Sequence, residues 1–216
     1  MSASGPIQAP ASLLRRLIRT TLVAAMVLLP IVAVCAVLAM RSPAWWKPLA
    51  RADSAAADRA AMVEQAIVAE FSRVRSDAPE WSLRLLEADA NAWLATRLPA
   101  WLESRGAEVP GPVQALFGPG WVRVGVELPR AIVWWQAEPR AAEGGYHVQG
   151  LRAGIGRLPL PAASILPSLP LDRLGAERSI RLADGRMVRL IDLEVLPGEI
   201  RMRLRTEPVK APGPGS

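Results

Sequence analysis

Trp81-Ser82-Leu83-Arg84-Leu85-Leu86-Glu87-Ala88-Asp89-Ala90-Asn91-Ala92-Trp93-Leu94 changes its hydrophobic period part-way along. Trp81, Leu83 and Leu85 alternate with Ser82 and Arg84, the two-residue period of a half-buried strand. From Leu86 the spacing turns helical, with Ala90, Trp93, Leu94, Leu98, Trp101 and Leu102 on or near one face. Pro99 has no N–H to donate, so the helix is expected to stop at Leu98 and resume as a short turn ending at Gly106. A strand feeding directly into a helix calls for a domain in which both element types share one core.

Working outward, Ala60, Val63, Ile67, Phe71 and Val74 recur at spacings of three and four inside a stretch from Ala50 to Arg75 that lacks Gly and Pro. That pattern predicts an amphipathic helix laid on the core. Downstream, Val109 to Gly120 holds three Pro and three Gly and is expected to be a loop. Val122, Val124, Val126 and Leu128 then alternate with Arg123, Gly125 and Glu127, and Ala131 to Glu138 and Tyr146 to Ala153 give two further strands. Gly154 to Pro161 is expected to break the sheet, with a short helix over Ala162 to Leu169. Ser179 to Leu182, Met187 to Leu196 and Glu199 to Thr206 form a closing meander across turns at Asp184-Gly185 and Pro197-Gly198.

The first forty residues differ in character. Thr20 to Met40 carries no charge and no Gly, and at about 1.5 Å per residue it would measure roughly 31 Å, the thickness of a bilayer core. It is therefore expected to be a transmembrane helix, too long for the apolar part of a cleaved leader. Arg15, Arg16 and Arg19 before the run favour a cytoplasmic N-terminus, and Trp45 and Trp46 sit where an interfacial belt would lie. The fold expected is thus α+β: an N-terminal transmembrane helix followed by a curved antiparallel sheet of about six strands packed on one or two helices. The boundaries are a cytoplasmic tail at 1–14, the anchor at 15–40, an interfacial linker at 41–49, an extracytoplasmic α+β domain at 50–206 and a flexible tail at 207–216.

The layout of span, strand, helix with Leu86-Glu87-Ala88-Asp89-Ala90-Asn91-Ala92-Trp93-Leu94, and the late Gly156-Arg157-Leu158-Pro159-Leu160-Pro161 before a closing meander resembles the YpmS-type family of bacterial single-span envelope proteins. The family's helix motif usually reads as Thr or Ser, acids, then Leu-Asn, whereas here Ala90 precedes Asn91. The resemblance implies an envelope location and an α+β fold. The layout is also similar to small envelope proteins whose curved sheet wraps a helix, some of which hold lipids.

Composition narrows the chemistry further. With 26 Lys and Arg against 20 Asp and Glu the net charge is +6, but residues 1–40 hold three basic and no acidic residues, which leaves 23 against 20, or +3, for the rest. Only Lys47 and Lys210 are lysines, so no nucleic-acid surface is expected and anionic headgroups or envelope polymers are the fitting acidic neighbours. His147 is the single imidazole and Cys35 the single thiol, too few for a zinc site or a nucleophile with an oriented base. No catalytic residue, metal or cofactor is expected, and Glu87 and Asp89 suit the dipole of a helix start.

What remains is binding. Eight Trp stand against one Tyr and two Phe, and Trp93, Trp101 and Trp135, with the amide of Asn91, are the candidate ligand residues. Asn91 has a second reading, in which its amide ties helix to sheet. Arg201, Arg203 and Arg205 alternate with Ile200, Met202 and Leu204, so one strand face carries three guanidinium groups that could meet an anionic surface. The function expected is a non-catalytic, single-pass membrane-anchored envelope protein whose outer domain binds lipid or another apolar ligand. The alternative is a structural or regulatory subunit of an envelope membrane complex, with an envelope protein as partner.

Overall fold

The computed structural model describes residues 11–50, 53–74, 80–108, 110–142, 145–161, 179–182 and 184–207. Four helices, α1 (Ala11–Met40), α2 (Ser54–Ser72), α3 (Glu87–Thr96) and α4 (Leu98–Glu103), combine with nine strands. The strands are β1 (Glu80–Leu86), β2 (Val113–Gly118), β3 (Trp121–Leu128), β4 (Ala131–Ala142), β5 (Gly145–Ile155), β6 (Leu158–Pro161), β7 (Ser179–Arg181), β8 (Met187–Leu196) and β9 (Glu199–Glu207). The short helix expected over Ala162 to Leu169 and most of the tail expected at 207–216 lie outside the described residues; Glu207 itself belongs to β9.

The strands form two antiparallel sheets rather than one of about six strands: β1-β9-β8-β7 and β2-β3-β4-β5-β6. Two segments account for much of the difference. β2 arises inside the stretch expected to be a loop, because Val113 to Phe117 is a nearly continuous apolar run bounded by Pro and Gly, and such a run has no alternation to betray it. β5 runs on to Ile155, where the sequence predicted a break; Gly156, at φ +56°, turns the chain into β6.

The four-stranded sheet buries one face; the five-stranded sheet is covered on both, with Gln114, Ile132 and Trp134 buried on the side opposite α3. Trp81, Val188 and Leu204 form the core of the four-stranded sheet, with Phe71 from the end of α2 set edge-on to Trp81 at 5.3 Å between ring centroids. Trp81 Nε1 donates to Thr206 Oγ1 at 3.0 Å, so the ring is buried with its polar atom satisfied. On the five-stranded sheet Ala115, Phe117, Val122 and Val124 pack with Leu94 of α3, Leu85 of β1, and Val195 and Ile200 of β8 and β9. The sheets join where their turns interlock: Gly120 N–H donates to Val195 C=O and Gly198 N–H to Phe117 C=O.

The expectation of a membrane-spanning helix over Thr20–Met40 is corrected here. Among the described residues, no helix is long and apolar enough to cross a membrane. The C-terminal turn of α1 belongs to the β domain instead: Leu38 C=O accepts from Arg157 N–H at 2.8 Å, and the Ala39 carbonyl presses on Gly156 so closely that no Cβ would fit there. The chain after it is also strapped down. Arg157 Nε reaches Ser42 C=O, and Gln114 Oε1 accepts Lys47 N–H at 2.6 Å while its Nε2 donates to Trp45 C=O. Trp45 and Trp46, expected in an interfacial belt, lie over Gly125 on the outer face of the five-stranded sheet, where a Cβ would come within 2.7 Å of each ring.

Candidate functional site

The geometry around α3 follows from the free edge of β2. β2 pairs with β3 on one side only, so its other row of N–H and C=O groups needs partners. Asn91 supplies two of them: its Oδ1 accepts Ala115 N–H at 2.7 Å and its Nδ2 donates to Ala115 C=O at 2.9 Å. Glu87, one turn earlier, accepts Phe117 N–H at 2.7 Å. The fit is metric. Four helical residues rise about 6 Å and two strand residues about 6.6 to 6.8 Å, so an i, i+4 pair on a helix matches alternate donors along a strand.

Holding α3 against β2 opens a groove beside it. A first chamber of about 500 Å³ is lined by Val63, Ile67 and Val68 of α2, Leu85, Ala90, Trp93, Leu94, Ala115 and Phe117. Its one charged wall residue, Glu64, is engaged: Trp93 Nε1 donates to its Oε1 at 3.0 Å and Arg97 Nε stands 3.4 Å from its Oε2. A second chamber of about 420 Å³ lies toward α4, walled by Leu94, Leu98 and Leu102 and floored by Val124, Val126, Leu128, Val133 and Trp135. Both volumes fall in the range of small-molecule sites, and both linings are dominated by aliphatic and aromatic groups.

The residues singled out in the sequence are dispersed around this groove. Trp93 lines the first chamber and Trp135 the second. The Asn91 amide is held by Ala115 and faces a polar hollow shared with Lys47, Asp53, Arg59 and Gln114. Trp101 lines neither chamber; it is exposed on α4 under the Arg105 guanidinium, 4.1 Å from the ring centroid. Sequence reasoning missed Glu64, Ile67, Leu85 and Phe117 as chamber walls, and missed Glu87 as a strand-edge acceptor. For Glu87 and Asn91 the i, i+4 spacing was a usable signal.

Arg201, Arg203 and Arg205 do share one face of β9, and each has an acidic partner. Arg203 stands 3.4 Å from Asp192, Arg205 pairs with Glu80, and Arg201 Nε donates to Glu199 Oε1 at 2.7 Å. Glu199 also pairs with Arg84 from β1. Burial opposes its charge, but the hydrogen bonds from Arg201 and Arg84 outweigh that and hold its carboxyl below the ordinary value. The Arg205 hydrogen bond likewise lowers Glu80.

The opposite face of the five-stranded sheet carries a further cluster. Arg123 lies among Trp45, Trp121 and Trp134, at 5.5, 5.0 and 4.8 Å from their centroids, and donates to Gln136 Oε1 at 2.6 Å. Burial, with Arg152 nearby, pushes its pKa down from the ordinary value. Three aromatic faces around one cation stabilise it where water is scarce, and they tie the chain after α1 to β3 and β4.

His147 is exposed on β5, opposite Arg140. Among the described residues no group of three or more His, Cys, Asp or Glu is placed to hold a metal ion. Compared with protein-family models, with curated proteins and with solved structures, the chain gives no match.

Proposed function

We propose that this protein is a non-catalytic binding module that holds a lipid acyl chain, or an apolar ligand of similar shape, in the groove between α2, α3, β1 and β2. The single observation behind this reading is the first chamber: about 500 Å³, lined by apolar side chains apart from Glu64, whose carboxylate accepts from Trp93 and pairs with Arg97. Such a lining offers a ligand burial of methylene groups, each contributing about 0.8 kcal/mol, and offers no activated nucleophile or acid–base pair.

The aliphatic surface of α1 supports work beside lipid, since Met26, Leu28, Leu29 and Val32 are all exposed. The same surface favours a second reading, a subunit that docks α1 against an envelope partner. The two separate experimentally. Titration of the full chain with palmitate by calorimetry should give saturable binding, and Ala90→Trp or Ile67→Trp, which place an indole inside the chamber, should abolish it. Unchanged binding in both variants would remove the groove from consideration, and absence of binding in the parent would leave the subunit reading.

A further inference from the structure

The four-stranded sheet ends at β1, which pairs with β9 on one side only. Which of its backbone groups face outward follows from the register. Glu87 N–H donates to Gly198 C=O at 2.9 Å, and Leu86 stands opposite Glu199. Residues of an antiparallel ladder turn alternately toward and away from the partner strand, so Leu85, Leu83 and Trp81 bond β9 while Glu80, Ser82, Arg84 and Leu86 turn N–H and C=O outward. The Leu86 carbonyl is drawn into the first turn of α3, where Leu86 is the N-cap. Among the described residues, no hydrogen bond takes up the outward backbone groups of Glu80, Ser82 and Arg84, whereas the outward pair of β2 at Ala115 is taken by Asn91.

We propose that this edge pairs with the same edge of a second copy of the chain, antiparallel and centred on Ser82. A two-fold axis at Ser82 sets Glu80 directly opposite Arg84 of the second copy, and Arg84 opposite its Glu80. Glu80 already pairs with Arg205 of β9, and Arg84 with Glu199. Across the joined strands the charges then alternate: Arg205, Glu80, Arg84 of the second copy, Glu199 of the second copy. Charge selects this register over its neighbours. Centring on Arg84 sets two guanidinium groups face to face, and like charges directly opposite destabilise a strand pair while opposite charges stabilise it. Centring on Leu83 sets Glu80 opposite Leu86 and calls on the Leu86 carbonyl that α3 has already engaged. On the other face of the sheet, Trp81 comes opposite Leu83 of the second copy, in a non-hydrogen-bonded pair where side chains stand closest. An isologous contact of this kind uses up the edge in both copies, so the edge adds no third. It is one strand wide, smaller than a permanent interface, and is therefore a reversible contact.

The full chain in mild detergent, which covers the apolar surface of α1, tests this. In a Cys35→Ser background, which leaves no other thiol, Ser82→Cys should give a disulfide-linked dimer on mild oxidation. The Cα atoms of a hydrogen-bonded antiparallel pair stand about 5.5 Å apart, within disulfide reach. Arg84→Cys in the same background should stay monomeric, because its two copies are offset by roughly 13 Å along the strands, four rises of about 3.3 Å. Charge reversal separates this edge from any contact made by α1. Glu80→Arg and Arg84→Glu should each weaken dimerisation, measured by sedimentation, by about tenfold or more, since each turns two attractive pairs into repulsive ones. An equimolar mixture of the two variants should restore it, since each charge then meets its opposite; a less stable variant would not produce that restoration. Crosslinking through Arg84→Cys, none through Ser82→Cys, or a mixture no tighter than its components overturns the pairing. A parent that stays monomeric at every concentration also overturns it, and leaves the β1 edge to a strand of a different protein.

Discussion

Asn91 and Ala115 exchange two hydrogen bonds, amide to backbone in both directions, so that a helix side chain pairs with a strand edge as a neighbouring strand would. This pairing sets the height of α3 above the five-stranded sheet and with it the depth of the groove. A helix packed by apolar contacts alone could slide along the sheet; one fixed at a backbone N–H and C=O cannot.

Asn91→Ala should destabilise the protein by about 1 to 3 kcal/mol, the cost of leaving a partly buried backbone pair without partners. Asn91→Asp, which keeps the acceptor for Ala115 N–H and loses the donor, should lie between. Urea unfolding of the full chain measures both. Equal stability of Asn91→Ala and parent would show that water replaces the amide without loss.

Glu87 and Asn91 act on the same strand edge one turn apart, so their contributions should not add. We expect the double variant Glu87→Ala/Asn91→Ala to cost less than the sum of the single variants, with a coupling of about 0.5 to 3 kcal/mol. A double-mutant cycle in urea reads this directly; strict additivity would mean that α3 is positioned by its apolar face.

Acid should loosen the four-stranded sheet. Glu80, Glu199 and Asp184 all have carboxyls held below their ordinary values, Glu80 by Arg205 on the neighbouring strand, Glu199 by Arg201 of its own strand and Arg84 of β1, and Asp184 chiefly by the backbone N–H of Arg186. A group whose folded pKa is depressed stabilises the fold above its unfolded pKa and loses that contribution as the pH falls through the folded value. Thermal unfolding temperature should therefore be flat near neutrality and fall as the pH drops below about 4.5, the ordinary Glu value. Glu199→Gln should flatten part of that decline.

Gly125→Val should lift the strap after α1. The added side chain would meet Trp45 and Trp46, whose rings lie within 2.7 Å of a Cβ at that position. Limited chymotrypsin treatment should then cleave after Trp45 or Trp46 faster than in the parent, with the β domain left intact. Unchanged cleavage would indicate that the hydrogen bonds of Gln114 to Trp45 and Lys47 hold the strap without the indoles.

The sequence made some of this legible and hid the rest for identifiable reasons. β1 showed itself because exposed and covered residues alternate along it, α3 through the helical spacing of Ala90, Trp93 and Leu94 although only Ala88 of that helix is exposed, and Gly106 at φ +73° ends the helical region where a left-handed residue was expected. β2 did not, since Val113 to Phe117 is buried on most of its surface and flanked by turn formers. The helix of Thr20–Met40 carried the composition of a span, but composition does not record that Leu38 and Ala39 are docked on Arg157 and Gly156. Tryptophan content pointed to an apolar groove without locating it: Trp93 and Trp135 reached the groove, while Trp45, Trp121 and Trp134 went to Arg123.

The placement of α3 also governs how copies of this protein behave toward one another. An exposed strand edge is a template on which a second chain can extend a sheet, the first step toward aggregation. On the five-stranded sheet one edge is β2, whose outward groups at Ala115 are taken by Asn91, while Phe117 N–H goes to Glu87 and Phe117 C=O to Gly198 N–H. The other edge is β6, where Pro159 and Pro161 alternate with Leu158 and Leu160 and have no N–H to offer an incoming strand. Both margins are thus blocked against strand addition, one by a helix and one by proline. Loss of Asn91 would then do more than loosen a helix: it would uncover the margin nearest the groove and invite intermolecular strand pairing there.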